Sequence, residues 1–143
     1  MLKIPKKCTA LAEQLPEGSV KKAVASALEY RIIQISKDPE IYVFKGTRED
    51  YLLLPPYYCS CMDFQINVIA RRLRVGCYHI LASCISKAYG RVKEFILNDI
   101  DTTTTVINEI LTHGRSNTIR QLVSEGDRLG EEEEEEKNYQ KNH

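Results

Sequence analysis

The fold is decided by Tyr57-Tyr58-Cys59-Ser60-Cys61-Met62-Asp63-Phe64, which is followed thirteen residues after Phe64 by Cys77-Tyr78-His79. This stretch places a C-x-C pair and a C-x-H pair on either side of fifteen residues. Three thiolates and one imidazole are the closed tetrahedral ligand set of structural zinc, and they leave no position for the water that catalytic zinc requires. We therefore predict one structural Zn²⁺, bound by Cys59, Cys61, Cys77 and His79.

The alternative interpretation is that these residues are ordinary buried cysteines and a surface histidine, but such spacing is uncommon by chance. Neither remaining cysteine is assigned to the site, because Cys84 falls on the apolar face of a predicted helix and Cys8 is isolated near the N-terminus. Five cysteines are an odd number, and no secretory signal pattern follows Met1. We therefore expect an intracellular protein with reduced thiols rather than a disulfide framework.

Before the first ligand pair, the pattern predicts helices and then a three-stranded sheet. A short helix is expected over 9–15 and a longer one after Ser19, which is a good N-cap for the apolar three-to-four spacing that follows. Three segments rich in β-branched and aromatic residues are separated by short polar turns, which is typical of an antiparallel meander. These predicted strands are Tyr30–Ser36, Glu40–Lys45 and Asp50–Leu54.

Beyond the second ligand pair, the apolar spacing predicts a helix from about Cys77 past Ala88, continuing to Ile96 with a bend at Gly90. Two shorter helices are expected over 103–112 and 118–124, with Gly126 as the stop. Between the ligand pairs, residues 62–75 fit both a strand and a helix, and we favour a short helix. The predicted class is α+β, a small antiparallel β-meander with a zinc knuckle packed against helices.

Composition supports one compact domain with an acidic end. The chain has 143 residues, 43% hydrophobic residues and no net charge, and a chain of this length buries a single core. The charge is uneven: residues 125–143 carry eight acidic and three basic residues, so the rest is net basic. We divide the chain into an arm with a short helix (1–18), a zinc-finger domain (19–97), C-terminal helices (98–126) and an acidic, disordered tail (127–143). The tail either aids solubility or competes for a basic surface.

Basic residues near the ligand pairs give a tentative nucleic-acid surface. Residues 59–93 contain six basic residues and one acidic residue, and nearby tyrosines could stack on bases. The same charges are equally consistent with an ordinary solvated face. The tentative contacts are Arg71, Arg72, Arg74, Lys87 and Arg91.

The two ligand pairs and their flanking residues resemble a SWIM-type zinc finger. The aromatic pair before Cys59, Asp63-Phe64, and Cys77-Tyr78-His79-Ile80-Leu81-Ala82 carry this resemblance. Over roughly residues 20–97, the chain also resembles the small SWIM subunit of Shu-type recombination-mediator complexes and its archaeal relatives. Tyr78 departs from the family, in which a basic residue often lies between the last Cys and His. The resemblance therefore supports zinc binding but gives little support for a phosphate contact at this position.

The resemblance implies a non-catalytic subunit that pairs with a RecA-like ATPase paralogue and supports recombinase assembly on single-stranded DNA in recombination and repair. It implies an intracellular location, cytoplasmic at the nucleoid or nuclear in a eukaryote. The docking surface would lie on the helix from Ile80 to Phe95 and on Val106, Ile107, Ile110 and Leu111, unless these residues simply pack on the sheet.

The competing hypotheses are a stand-alone nucleic-acid-binding module and an enzyme. Motifs for nucleotide binding, zinc proteolysis and serine hydrolysis are absent from the sequence. A thiol catalyst activated by His79 would use the same residues, but metal binding explains them more economically. We therefore expect no enzymatic activity, no small-molecule substrate and no membrane span.

Overall fold

The computed structural model describes residues 2–142 and has the predicted α+β class. Its helices are α1 (Thr9–Gln14), which follows a 3₁₀ turn (Lys6–Cys8), α2 (Glu17–Leu28), α3 (Tyr78–Ala88), α4 (Ile100–His113) and α5 (Asn117–Asn142). A π-helical segment covers Phe64–Ala70. The strands are β1 (Ile32–Lys37), β2 (Glu40–Lys45), β3 (Asp50–Leu54), β4 (Tyr58–Cys59) and β5 (Lys93–Glu94).

The strands form one mixed sheet in the order β4-β3-β2-β1-β5. The predicted meander of β1, β2 and β3 is confirmed, and both of its pairings are antiparallel. Two short edge strands were not predicted: β4 pairs antiparallel with β3, and β5 pairs parallel with β1. Each contains only two residues, which is too few for an alternating pattern. Because β4 ends at Cys59, the sheet leads directly into the first ligand pair.

Side chains alternate between two cores on opposite faces of the sheet, as the period of a strand requires. On one face, Ile32 and Phe44 join the apolar residues of α2, α3 and the ligand region. On the other face, Ile33 and Val43 pack with α4 and α5, including Val106. Burying one such side chain contributes about 1.5–3 kcal/mol, so the sheet is stabilised from both sides.

Two predicted helix boundaries near α2 and α3 are wrong. The α2 helix begins at Glu17, because Pro16 fits the position before a helix and its carbonyl accepts from the Ser19 amide at 2.9 Å. The α3 helix ends at Ala88, and Gly90 has φ of 64° in the left-handed region that glycine favours. The next residues pair with β1 instead of continuing the helix to Ile96.

The two C-terminal helices extend beyond their predicted bounds. The α4 helix begins one turn early, because the Asp99 carboxylate accepts from the Thr102 amide at 2.8 Å. The α5 helix does not stop at Gly126 but continues to Asn142, and Lys93 of β5 reaches Asp127 in the next turn at 2.5 Å. Residues 127–142, predicted as a disordered tail, have helical backbone, and the side chains of 127–141 are exposed.

A buried ion pair joins α5 to the meander. The Asp50 carboxylate is fully buried and accepts two hydrogen bonds from Arg120, at 2.7 and 2.9 Å, and one from the Ser116 amide at 3.0 Å. Arg120 also donates to the Gly46 carbonyl at 2.8 Å. These contacts fix the start of α5 against the β2–β3 turn.

Cys8 and Cys84 form a disulfide, with their Cα atoms 6.0 Å apart. The prediction that Cys8 has no role and that all thiols are reduced is therefore wrong. The sequence gives no signal for this pair, because the two residues are 76 positions apart. The bond ties the 3₁₀ turn before α1 to α3. Within residues 2–142, no helix combines the length and the apolar character needed to cross a membrane.

Candidate metal centre

Four buried side chains converge at the corner between β4 and α3. The ligand atoms of Cys59, Cys61, Cys77 and His79 all lie within 4.8 Å of one another, and each residue is at most 4% exposed. These are the four residues predicted as ligands, and their arrangement can hold a metal ion. Their burial separates the site from solvent, so the ordinary surface histidine of the alternative interpretation is not found.

The C-x-C turn is positioned by hydrogen bonds to β3. The Ser60 amide donates to the Leu52 carbonyl at 3.0 Å, and the Leu52 amide donates to Ser60 Oγ at 2.8 Å. Ser60 is thus held on the strand side while its two neighbours direct their sulfurs inward. The Phe64 amide donates to Cys61 Sγ at 3.3 Å, which fixes the second sulfur at the start of the following segment.

The C-x-H pair is positioned by the start of α3. Cys77 is the N-cap residue, with extended backbone, and His79 lies in the first turn. Nδ1 of His79 lies 3.8 Å from Cys59 Sγ and 3.7 Å from Cys77 Sγ. The helix N-terminus also favours negative charge, which suits the thiolate of Cys77.

Aromatic neighbours surround the His79 ring, and no hydrogen bond from residues 2–142 fixes its Nε2 side. Its centroid lies 4.5 Å from Phe44, 4.4 Å from Tyr51 and 4.0 Å from Tyr78. Its Nε2 is buried and has no hydrogen-bond partner within the described residues. Packing therefore sets the ring orientation and leaves Nδ1 as the ligand atom, whereas a ligating histidine usually donates its other N–H to a carboxylate or carbonyl.

The three thiols cannot ionise independently, because they share hydrogen bonds within one buried cluster. Hydrogen bonds from Cys59 and Cys77 hold the pKa of the Cys61 thiol well below its usual range. The hydrogen bond with Cys61 raises the pKa of Cys59. The hydrogen bond with Cys59 lowers the pKa of Cys77, but that with Cys61 and burial raise it to about 12. Ionisation of each thiol is therefore coupled to its neighbours, and a bound cation would favour the thiolate form of all three.

The segment between the ligand pairs, residues 62–76, is termed the metal loop. The predicted helix in it is confirmed, as the π-helical segment Phe64–Ala70. Arg74 donates to both carboxylate oxygens of Asp63, at 2.6 and 3.0 Å, and holds the pKa of that carboxyl below its usual value. The Val75 amide donates to Gln14 of α1 at 3.0 Å. The loop is thus closed on itself and tied to the N-terminal helix.

The five tentative nucleic-acid contacts lie in two groups on the chain. Arg71, Arg72 and Arg74 follow the π-helical segment, and Arg74 is occupied by its bidentate pair with Asp63. Arg71 and Arg72 are exposed and have no ion-pair partner within residues 2–142. These two arginines remain available to an anionic ligand.

The second group lies at the C-terminal end of α3, and both of its members have partners. Lys87 Nζ lies 3.7 Å from a Glu40 carboxylate oxygen and 5.3 Å from the centroid of the Tyr42 ring. The guanidinium of Arg91 lies 5.4 Å from the centroid of Tyr30. These contacts support local packing as the first role of Lys87 and Arg91.

The apolar residues proposed for docking mostly pack on the sheet. Val106 and Ile110 are buried in the core, and Ile107 packs against it, while Leu111 is exposed. The inward face of α3 is also buried. Five exposed apolar residues that the sequence interpretation missed lie in the metal loop, where mixed strand and helix spacing hid the outward face. They are Met62, Ile66, Ile69, Leu73 and Val75.

Comparison of the chain with protein-family models, curated proteins and solved structures gives no match in any of the three. The resemblance to SWIM-type zinc fingers therefore stays a prediction. It depends on the ligand spacing and on the residues that flank the ligand pairs.

Proposed function

We propose that the chain is a non-catalytic, zinc-stabilised interaction subunit. In this proposal it pairs with a RecA-like ATPase paralogue and supports recombinase assembly on single-stranded DNA. The observation that carries the proposal is the buried cluster of three thiols and one imidazole at a strand-to-helix corner. Such a closed site is used to hold structure together rather than to activate water.

The interatomic distances support zinc as the metal. With Zn–S near 2.3 Å and Zn–N near 2.0 Å, tetrahedral geometry places sulfur and nitrogen about 3.5 Å apart. Nδ1 of His79 lies 3.8 and 3.7 Å from two of the sulfurs. Thiolate and imidazole donors also favour zinc over magnesium or calcium, which bind oxygen ligands.

The position of the site supports a structural role. One ligand pair follows the edge strand β4, and the other opens α3, so a bound ion joins the sheet to the helix. Metal binding then adds to folding free energy, because the unfolded chain has no preformed site. The RecA-like partner and the recombination role rest on the family resemblance.

Metal content tests the zinc proposal. Elemental analysis of the purified chain should find one zinc per chain, and Cys77→Ser should release it and lower the unfolding temperature. The matched control for zinc content is Cys8→Ser/Cys84→Ser, which replaces cysteines outside the site and should keep the zinc, although loss of the disulfide lowers its stability. Iron in place of zinc, or unchanged zinc in Cys77→Ser, would contradict the assignment.

Affinity purification tests the partner. The tagged chain, expressed in its own cells, should recover a RecA-like ATPase, and Cys77→Ser should recover less of it. Recovery should persist after nuclease treatment, since the proposed contact is between proteins. Zinc in the chain without any RecA-like partner would refute the recombination role and leave the metal assignment intact.

A second candidate function, direct nucleic-acid binding, is favoured by the exposed and unpaired Arg71 and Arg72. Loss of two phosphate contacts to a single strand should reduce the magnitude of the slope of log affinity against log salt concentration by about 1.4. Arg71→Ala/Arg72→Ala should produce that change on an oligonucleotide, whereas Arg48→Ala/Arg115→Ala, which replaces exposed arginines outside the metal loop, should not. An unchanged slope would remove this candidate.

A further inference from the structure

A large apolar groove lies between α1 and the metal loop. Its volume is about 810 Å³, and the Cys8–Cys84 disulfide forms part of its lining. The rest of the lining is mainly aliphatic, and we term this feature the loop groove. Its aliphatic walls are Leu11, Val68, Leu73, Val75 and Ile80.

The rim of the loop groove exposes large apolar side chains. Tyr57 is 84% exposed, Leu73 is 68% exposed and Val75 is 66% exposed. Contiguous exposed apolar residues mark interaction sites in soluble proteins, whereas single ones need no explanation. The hydrogen bond from the Val75 amide to Gln14 joins the metal loop to α1, and the disulfide ties the turn before α1 to α3. A preformed groove of this kind binds with little ordering of its own chain.

The charged residues that line the groove are all basic. Lys7, Arg72 and Arg74 line it, and its lining contains no acidic residue. Arg74 is neutralised by Asp63, but Lys7 and Arg72 have no ion-pair partner within residues 2–142. The groove therefore combines aliphatic walls with two unneutralised cations.

We propose that the loop groove binds a segment of a protein partner whose aliphatic side chains enter between α1 and the metal loop. Acidic residues beside those side chains pair with Lys7 and Arg72. This deepens the proposed function, because it gives the interaction subunit a docking surface, and it rests on that function for the existence of a stable partner.

Two other occupants fit the groove less well. Bases of single-stranded nucleic acid stack on aromatic rings, and the groove lining contains only one, Tyr57. The acidic α5 of a second copy would satisfy the cations, but its outer part exposes only two large apolar residues, Leu129 and Tyr139. They are ten positions apart, about 15 Å along a helix, and six glutamates lie between them. A segment with adjacent aliphatic anchors fits better.

Site-specific photo-crosslinking in cells identifies the occupant. A benzophenone amino acid replaces Leu73 in the full chain, and a matched chain carries it at Leu129, which is 53% exposed on α5. At Leu73 we expect a partner peptide with aliphatic residues and Asp or Glu within one helical turn of them. That peptide should be absent from the Leu129 sample. Crosslinks from Leu73 to nucleic acid, to α5 of a second copy, or to a segment without acidic residues would overturn the proposal.

The same experiment separates this proposal from the proposed function. A RecA-like ATPase that copurifies but crosslinks only outside the groove would refute the groove and leave the partner in place. An acidic, aliphatic segment of an unrelated protein at Leu73 would support the groove and refute the RecA-like partner.

Binding of a defined probe tests the chemistry directly. The probe is a fluorescein-labelled amphipathic peptide with leucines at helical spacing and flanking glutamates, and a comparison peptide has lysines in place of the glutamates. Arg72→Glu should weaken binding of the glutamate peptide about tenfold or more and strengthen binding of the lysine peptide. Leu73→Ser should weaken binding of both peptides, and the control Leu129→Ser should change the affinity of neither. Equal affinity for both peptides in the unsubstituted chain would refute the charge assignment.

Discussion

The disulfide between Cys8 and Cys84 allows a quantitative prediction. We consider the full chain with Cys8→Ser and Cys84→Ser together, because serine preserves side-chain size and the double change leaves no unpaired thiol. The bond joins a buried residue before α1 to a half-buried residue in α3. Its loss removes a constraint that the unfolded chain otherwise carries.

The size of the effect follows from the 76-residue separation of the two cysteines. In the chain-entropy description, closing a loop of that length removes about 15 cal/mol/K from the unfolded state, or about 4.5 kcal/mol at 25 °C. Measured disulfides usually contribute less, about 2–4 kcal/mol. We therefore expect the free energy of unfolding to fall by about 2–4.5 kcal/mol in the double variant.

Urea unfolding of the metal-loaded chain measures this change. The midpoint should fall in the double variant, and the m-value should rise, because an open unfolded chain exposes more surface than a ring does. Thiol titration of the denatured, metal-stripped protein provides the control. It should count three free thiols in the unsubstituted chain, since Cys8 and Cys84 do not react.

Two results would refute this reasoning in different ways. Five reactive thiols in protein purified without reductant would show that the bond does not form. Three thiols together with equal unfolding free energies and equal m-values would show that the bond forms but that loop closure does not determine its contribution.

Three further predictions concern α4, α5 and their contact with the meander, and all use urea unfolding. Asp50→Asn leaves the charge of Arg120 buried without its partner and should lower the free energy of unfolding by about 3 kcal/mol. The control Glu17→Gln, in an exposed ion pair, should change the free energy of unfolding by less than about 0.5 kcal/mol. Gly114→Ala places a side chain at φ of 73° and should lower the free energy of unfolding by about 1–2 kcal/mol. Burial opposes ionisation of Glu109, but hydrogen bonds from Ser116 and Thr118 lower its pKa in the folded state. Ionised Glu109 therefore adds to the free energy of unfolding above about pH 4.3, and this stabilisation is lost as the pH falls through the lower folded-state pKa. Glu109→Gln should therefore flatten the acid side of the stability profile, and an unchanged slope would contradict this.

Most of the fold could be predicted from local sequence patterns, because these patterns depend on residues that are close together in the chain. The β1–β3 meander follows from alternating β-branched residues and polar turns, and the four-residue ligand set follows from spacing alone. The edge strands and the Cys8–Cys84 bond could not be predicted in this way, because they depend on partners far along the chain. A two-residue strand has no period of its own, so only the finished sheet defines β5.

The boundary errors have the same cause. Gly126 carries a stop signal, yet α5 continues through it, and there it meets β5, where Lys93, distant in sequence, pairs with Asp127. Val92 and Phe95 fit the apolar spacing of α3, but after Gly90 the chain finds hydrogen bonds on the edge of β1, where the Phe95 amide donates to the Gln34 carbonyl at 2.8 Å. In each case a tertiary contact outweighs a local preference.

The disulfide has a consequence for the metal centre, because all four ligand residues lie between Cys8 and Cys84 in the chain. The four residues thus belong to a covalent ring, and a bound ion would close a smaller ring inside it. Release of the ion from the oxidised protein leaves the two ligand pairs tethered at a high mutual concentration, so that the site can reassemble without a full search of chain conformations. The oxidised protein is therefore expected to exchange its metal reversibly, whereas the reduced chain would have to refold in order to recover it.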